Sequence, residues 1–164
     1  MPSDERRWRR EQIVSRLYIE GWGRADFDLV SELVDADIIW TAIEEAPDAG
    51  TYRGFARVRR YMEDWLDEFD FNEGDDAWIE RSVEVGERLV CLQRVTGTGK
   101  RSGLRSEIRY ACVYTFGDDE RILEVNEYAT FDGAVEAAAR RPAPEVGSAG
   151  RTESRTDPIP GGRT

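Results

Sequence analysis

The chain has 164 residues and a formal net charge of −11, with 40% hydrophobic and 35% charged residues. This length suits one domain with a substantial core, and the apolar content excludes general disorder. The negative charge argues against nucleic acid as a partner, because nucleic-acid binders need a basic surface. No apolar run approaches the roughly 20 residues that cross a bilayer, and the start lacks an apolar signal segment. We therefore expect a cytoplasmic protein that contacts no membrane.

The first helix is predicted by apolar side chains at helical spacing from Ile13 to Trp22, which form a single stripe. Gly21 and Gly23 are expected to end this helix. Four arginines surround Trp8 at its start, and this pattern favours a solvated helix face over an anion-binding site.

Two further helices and one strand complete the first half. Asp26 and Asp28 suit the start of a short second helix, where carboxylates cap free amides and meet the positive end of the dipole. Residues 37–41 are predicted to form a short strand. From Val58 to Phe69 the apolar residues recur at helical spacing, with charged residues on the opposite side, and this is the clearest helix of the sequence.

Two acidic segments raise the question of a site. Glu44 and Glu45 follow the first strand, where they would either guard the mouth of a pocket or form a solvated loop. The run from Glu63 to Asp76 indicates a solvated helix face and a loop rather than a metal site.

From Trp78 onward the period of the apolar pattern changes to two, which predicts strands. The strand segments are residues 78–85, 89–95, 108–116 and 122–131. Short, glycine-containing connections join them, and such connections require antiparallel pairing because parallel neighbours need a long crossover. Asp132 is expected to cap a closing helix over residues 134–140.

The order of these elements predicts an α+β fold in which helices pack on one face of a curved antiparallel sheet. Long strands with glycine at their bends tend to coil, so the sheet should leave a concavity that encloses a pocket. We expect one domain over residues 1–140. Residues 141–164 are rich in proline and glycine and contain little to bury, which predicts a disordered tail.

The available residue types restrict the chemistry. The chain has no histidine and two cysteines, Cys91 and Cys112. This composition excludes Ser-His-Asp and Cys-His nucleophiles and the usual tetrahedral zinc site. Both cysteines fall within apolar strand patterns, which favours buried thiols. Proton transfer would depend on carboxylates, tyrosine, cysteine or water, with no cofactor.

Three segments of the chain resemble a known family. They are residues 18–28 with 33–40, the Tyr52-Arg-Gly54 element before the third helix, and the ending Arg121-Ile-Leu-Glu-Val-Asn-Glu-Tyr128 with Asp132. Their order over residues 10–140 resembles SnoaL-like domains of the nuclear transport factor 2-like superfamily. That resemblance implies a cone-shaped fold with a deep apolar pocket, usually in a homodimer. Its members include polyketide cyclases, ketosteroid isomerases, limonene epoxide hydrolases and non-catalytic binders, so the fold alone does not fix the function.

The resemblance also assigns roles to single positions. Tyr18 matches the oxyanion-donating tyrosine of ketosteroid isomerases, but Cys112 stands at their second donor, and their base falls near Thr41 or Ala42. Arg94 and Glu127 match the arginine and one carboxylate of epoxide hydrolases, whose other carboxylate falls at Thr96. Polyketide cyclases of the family use a histidine that is absent here. Each known catalytic set therefore loses at least one member.

The remaining candidate is a catalytic trio of Tyr18, Arg94 and Glu127. Arg94 would share a buried face with Val90 and Leu92 and pair with Glu127 from the last strand. The expected pocket lining consists of Trp22, Trp40, Tyr61, Trp65, Leu92, Tyr110, Cys112, Tyr114 and Val125.

The ligand would be a small, largely apolar molecule. The chemistry would be cofactor-free acid–base catalysis of the isomerase, cyclase or hydrolase type, with a non-catalytic binding or assembly module as the alternative. Core packing of Tyr18, and a structural or dimer-face pair of Arg94 with Glu127, explain the same residues. Ala111 and Val113, on the strand face opposite Tyr110, suggest a dimer surface.

Overall fold

The computed structural model describes residues 2–44, 46–71 and 77–141. The helices are α1 (Pro2–Arg16), α2 (Phe27–Leu33), α3 (Phe55–Glu68) and α4 (Phe131–Arg140), and a π-helical turn (Leu17–Trp22) continues α1. The strands are β1 (Val34–Thr41), β2 (Thr51–Arg53), β3 (Phe69–Asp70), β4 (Ala77–Val85), β5 (Arg88–Gly99), β6 (Arg105–Phe116) and β7 (Ile122–Tyr128). Of the tail predicted over residues 141–164, all but Arg141 lies outside the described residues, as do Glu45 and the end of the acidic run at 72–76.

One curved sheet has the strand order β2-β1-β7-β6-β5-β3, and β4 also pairs with β5. The long pairs β4–β5, β5–β6 and β6–β7 are antiparallel, as the short connections predicted. In contrast, β1 pairs with β7 in parallel. Helix α3 and the strands β3 to β6 separate these two strands in the chain, which provides the crossover that parallel pairing needs. The α+β class is confirmed.

The sheet has two covered faces. We call the face that carries Leu89, Cys91 and Val125 the inner face, and it packs against α1, the π-helical turn, α2 and α3. On the opposite, outer face, α4 covers a smaller cluster that includes Ala111 and Val113. The expectation that all helices share one face is therefore wrong for α4. Ala111 and Val113 are buried by α4 of the same chain, so they do not form the free surface that suggested a dimer.

Two glycines shape the end of the first helix. The helix continues through Gly21 as a π-helical turn, closed by a 2.8 Å hydrogen bond from the Gly23 amide to the Tyr18 carbonyl. A Cβ on Gly21 would lie 2.8 Å from Cγ2 of Val30, so only glycine lets α2 pack this closely against the turn. The turn directs Tyr18 and Trp22 into the inner-face core.

The helix ends follow the expected capping chemistry with one change. Asp26 caps α2 by accepting a 3.1 Å hydrogen bond from the Leu29 amide, as predicted. Helix α4 is capped by Thr130, which accepts a hydrogen bond from the Gly133 amide, and not by Asp132. Asp132 instead lies in the first turn, where a carboxylate still meets the positive end of the helix dipole. No helix within the described ranges is both long and apolar enough to span a membrane.

Candidate functional site

The Glu127 carboxyl group is the polar centre of the inner face. Glu127 lies on β7 directly opposite Cys112 of β6. The Trp40 indole nitrogen on β1 donates a 3.3 Å hydrogen bond to Oε2 of Glu127. The Tyr61 hydroxyl on α3 lies 3.2 Å from both carboxyl oxygens and donates to them. Two neutral donors from separate elements therefore fix the orientation of this carboxyl group.

The environment changes the proton affinity of this group. Burial raises the pKa of Glu127 to about 7, and the charge of Asp48 acts in the same direction. The hydrogen bonds from Trp40 and Tyr61 oppose the rise, because they stabilise the ionised form. Glu127 consequently takes up and releases a proton near neutral pH, which is the range in which a general acid or base is most effective.

Aromatic rings surround the carboxyl group. The ring centroids of Trp22, Trp40 and Tyr61 lie 5.9 to 6.1 Å from one another. Tyr18 adds a fourth ring, 5.5 Å from Trp22 and 6.4 Å from Trp40. These four predicted site residues are brought together by the π-helical turn, β1 and α3.

A buried hydroxyl network lies beside these rings. The Tyr114 hydroxyl is 3.2 Å from the Tyr18 hydroxyl and also contacts Oε1 of Gln93. The Tyr18 hydroxyl is 3.9 Å from Sγ of Cys112. Because Tyr114 has one proton, it donates either to Gln93 or to Tyr18. When Tyr114 donates to Tyr18, the Tyr18 proton is free for a ligand; when Tyr114 donates to Gln93, its oxygen can accept the Tyr18 proton and competes with a ligand for it.

The network groups are neutral donors rather than bases. Burial raises the pKa of Tyr18, Tyr110 and Tyr114 well above the usual value, and it does the same for the Cys112 thiol. The charge of Glu127 also raises the pKa values of Tyr18, Tyr110 and Cys112, since a nearby negative charge disfavours a second one. These three tyrosines and Cys112 therefore stay protonated, and the neighbouring side chain that ionises near neutral pH is Glu127.

Asp48 is a second carboxylate that the sequence did not single out. Trp65 donates a 2.9 Å hydrogen bond from its indole nitrogen to Oδ2 of Asp48. Tyr52 donates to the Asp48 carbonyl oxygen, and its ring lies 4.7 Å from that of Tyr61. In this loop the sequence analysis considered Glu44 and Glu45, as guards of a pocket mouth or as a solvated loop, and Glu44 is exposed. Asp48 was not recognised in the sequence because its hydrogen-bond partner, Trp65, lies 17 residues away on α3.

The predicted catalytic trio does not assemble. The residues Val90, Leu92 and Arg94 belong to the outer face, because their direct partners on β6 are Val113, Ala111 and Arg109. Glu127 instead shares its face with Cys91 and Cys112.

The Arg94 side chain lies 3.8 Å from each of Glu80 and Glu107. The predictions that Arg94 pairs with Glu127 and that Leu92 lines the same site are wrong. Tyr18 and Glu127 are both on the inner face, as expected.

The remaining lining residues lie on the inner side. Tyr110, Cys112, Tyr114 and Val125 are buried in the inner-face core, and Trp65 packs against that core from α3. Among the residues that the structure describes, no three histidine, cysteine, aspartate or glutamate side chains gather as ligands for a metal ion. An open polar groove, lined by Glu11, Ser15 and Ser82 among others, includes none of the aromatic site residues.

Solved structures share this architecture. A nuclear transport factor 2-like protein from Burkholderia thailandensis is 26% identical, with a TM-score of 0.58, over 81% of this chain and 98% of its own. A SnoaL-like polyketide cyclase candidate from Jannaschia sp. CCS1 is 18% identical, with a TM-score of 0.60, over 81% and 93%. A protein with a ketosteroid isomerase-like fold from Catenulispora acidiphila, solved with trimethylamine, is 15% identical, with a TM-score of 0.59, over 80% and 94%.

The family comparison covers most of the domain. No curated protein matches the chain. The model of the SnoaL-like domain matches residues 14–125, a range that includes Tyr18, Trp40 and Tyr61 and ends two residues before Glu127. The resemblance read from the sequence is thereby confirmed, and the chain belongs to the SnoaL-like domain family.

Proposed function

We propose that this protein binds a small, largely apolar metabolite on the inner face, where aromatic rings surround Glu127, and performs cofactor-free acid–base chemistry on it. The observation that carries the proposal is the Glu127 carboxyl group, which is largely buried among aromatic rings and has a pKa of about 7. A carboxyl group with this proton affinity is half ionised at neutral pH, so it can both accept and return a proton in one catalytic cycle.

The proposed reaction is proton transfer at a carbon next to a carbonyl group, as in an isomerisation or cyclisation. Glu127 would take the proton, held in place by Trp40 and Tyr61 at 3.2 to 3.3 Å. Tyr18 would donate a hydrogen bond to the developing oxyanion, where a fixed donor lowers the barrier most. Arg94 has no part in this scheme, because it lies on the outer face.

The exposure of the aromatic residues supports ligand access. Tyr18 and Trp22 are each 7% exposed and Tyr110 is 8% exposed, although all three belong to the core cluster. Trp40 and Tyr114, from the same cluster, are fully buried. Glu127 itself is half-buried, as are Tyr52 and Trp65 beside it, and an apolar recess with a few fixed polar groups is typical of small-molecule sites.

A non-catalytic binding module is the competing function, and a specific contact favours it. Tyr114 holds the Tyr18 hydroxyl at 3.2 Å within a buried network, so this hydroxyl is partly occupied without any ligand. In addition, the chain has threonine and alanine at positions 41 and 42, where the resemblance to ketosteroid isomerases places the base.

A ligand screen separates these two functions. We expect apolar ketones, enols, steroids and polyketide-like compounds to include at least one that raises the melting temperature of the full chain, because a ligand that binds only the native state stabilises it. Recovery of that compound as an isomer or cyclised product supports catalysis, whereas recovery unchanged supports binding alone. If no compound of these classes stabilises the protein, the proposal of an apolar ligand is wrong.

A homodimer and a cytoplasmic location stay predictions. Since α4 covers Ala111 and Val113, a dimer through the outer sheet face would use the part of that face beyond α4, where Arg94, Arg109 and Glu80 form an ion-pair network. A monomeric mass by light scattering at micromolar concentration would contradict the dimer.

A further inference from the structure

Aromatic rings gather around Glu127, and two of them, Tyr18 and Trp22, keep a small exposed fraction of 7% each. Trp22, Trp40 and Tyr61 form a triangle of ring centroids with sides of 5.9, 6.0 and 6.1 Å. Tyr18 extends this group beside Trp22 and Trp40. The face of an aromatic ring carries the negative part of its quadrupole and attracts cations, most strongly for tryptophan. We call Tyr18, Trp22, Trp40 and Tyr61 the aromatic cluster.

The charges near the aromatic cluster are also negative. Glu127 accepts hydrogen bonds from Trp40 and Tyr61, and Asp48 accepts one from Trp65, all of which are neutral donors. Within residues 2–44, 46–71 and 77–141, the ion pairs formed by arginine and lysine involve neither of these two carboxylates. A largely buried carboxylate is normally compensated by a cation, so the site lacks the positive charge that would complete it.

The groups present favour an organic cation over a metal ion. Calcium takes six to eight oxygen ligands and magnesium requires an octahedral oxygen shell, whereas this site consists mainly of ring carbons. An alkylammonium group has its charge spread over methyl or methylene groups, which pack against rings as any apolar group does. The Glu127 oxygens already accept hydrogen bonds, so the ligand need not donate one.

We propose that the ligand of this site carries an alkylammonium group, whose charge pairs with Glu127 and whose methyl or methylene groups contact the aromatic cluster at Tyr18 and Trp22. This inference rests on the proposed function, since it names the ligand class of the same site. The rest of the ligand remains apolar, in keeping with its surroundings. Binding of the cation also favours the ionised form of Glu127, so a ligand that binds near pH 7 displaces a proton from it.

The test compares choline with its uncharged carbon isostere, 3,3-dimethylbutan-1-ol, by titration calorimetry of the full chain at pH 8. The two molecules have nearly the same shape and differ in the charge. We expect choline to bind at least tenfold more tightly. The affinity for choline should fall about tenfold between pH 8 and pH 6, as Glu127 becomes protonated around its pKa of about 7. At pH 7, the heat of binding should depend on the ionisation enthalpy of the buffer, because a proton is released.

Two substitutions assign the effect to the site. Glu127→Gln removes the charge and keeps the shape, so it should abolish the preference for choline over its isostere. Trp22→Leu should weaken choline binding, whereas Trp8→Leu, at a tryptophan that is 59% exposed, should leave it unchanged. If Trp22→Leu fails to fold, Trp22→Phe keeps a weaker ring and should give an intermediate loss.

The outcomes distinguish this inference from the proposed function. Equal affinity for choline and the isostere overturns the alkylammonium ligand and leaves the apolar ligand standing. A preference for choline that persists in Glu127→Gln also overturns the inference, because the charge pair would then not involve this residue. Binding of neither probe, together with a positive screen of neutral ketones, overturns the inference alone. Binding of neither probe together with an empty screen overturns both.

Discussion

Replacing Glu127 by glutamine is expected to lower the turnover of any substrate of this site by about 10²- to 10⁴-fold, which is the usual contribution of a positioned general acid or base. The amide has nearly the same shape as the acid but neither accepts nor returns a proton. The measurement is kcat and KM for the substrate that the ligand screen identifies. We expect the loss in kcat. For a neutral substrate KM should change little, because its apolar contacts remain, whereas for a substrate with an alkylammonium group KM should also rise, because the charge pair with Glu127 is lost.

Glu124→Gln is the matched control for this substitution. Glu124 lies on the same strand but on the outer face, where Arg141 pairs with it at 2.8 Å. The same chemical change is thus made three residues away on the other side of the sheet, and activity should be retained. Full activity of Glu127→Gln, or an equal loss in both variants, would remove Glu127 from the catalytic role.

A second large effect is expected in the pH dependence of stability. In the native state the pKa of Glu127 is about 7, compared with an ordinary value of 4.5, which we take for the unfolded chain. Between these values the native state holds a proton that the unfolded chain has lost, so the free energy of unfolding decreases as the pH rises through this window. Each unit of pKa difference corresponds to about 1.4 kcal/mol, which gives a loss of about 3 kcal/mol between pH 4.5 and pH 7.

The comparison of two proteins isolates this contribution from the other carboxyl groups of an acidic chain. Urea unfolding of the parent and of Glu127→Gln at pH 5, 6, 7 and 8 gives the difference in the free energy of unfolding. Relative to the glutamine variant, the free energy of unfolding of the parent should fall by about 2 to 3 kcal/mol between pH 5 and pH 7. Above pH 7 the difference between the two proteins should stay constant. A difference that stays constant from pH 5 to pH 8 would show that Glu127 has an ordinary pKa.

Much of the fold follows from local sequence patterns. The helical stripe of α3 and the capping by Asp26 are local features, and the structure confirms both. The antiparallel pairing of β4 to β7 follows from their short connections. Features that depend on contacts distant in the chain were not predicted, namely the parallel pairing of β1 with β7 and the position of α4 on the outer face.

The position of α4 also explains the error at Arg94. In β5 both faces are covered, so Leu89, Val90, Cys91 and Leu92 form an unbroken apolar run. In a strand that is buried on one face, apolar and polar residues alternate, and the apolar ones point inward. In a strand that is apolar on both faces, the sequence does not show which residues point to which side. A shift by one residue moves every side chain to the opposite face. The sequence therefore placed Arg94 on the inner side, where the structure has Gln93.

The candidate site was predicted only in part, because local sequence patterns do not show contacts between residues that are distant in the chain. The aromatic residues of the helices and β1 were recognised from their periodicity, and Glu127 from the family resemblance. Periodicity does not reveal partners, and the contacts that define the carboxyl group join Glu127 to Trp40 and Tyr61, at separations of 87 and 66 residues. The shifted pKa of Glu127 results from those contacts and from burial, so it becomes visible only in three dimensions.

The hydrogen bond from Trp40 to Glu127 gives this protein a natural optical reporter. The indole nitrogen lies 3.3 Å from a carboxyl oxygen, and a charge that appears at this distance in a largely buried setting perturbs the electronic transition of the ring. Tryptophan emission should therefore follow the ionisation of Glu127, with a midpoint near pH 7 that is absent from the glutamine variant. The protonation state of Glu127, and the release of its proton when a ligand binds, could then be followed in real time without any label.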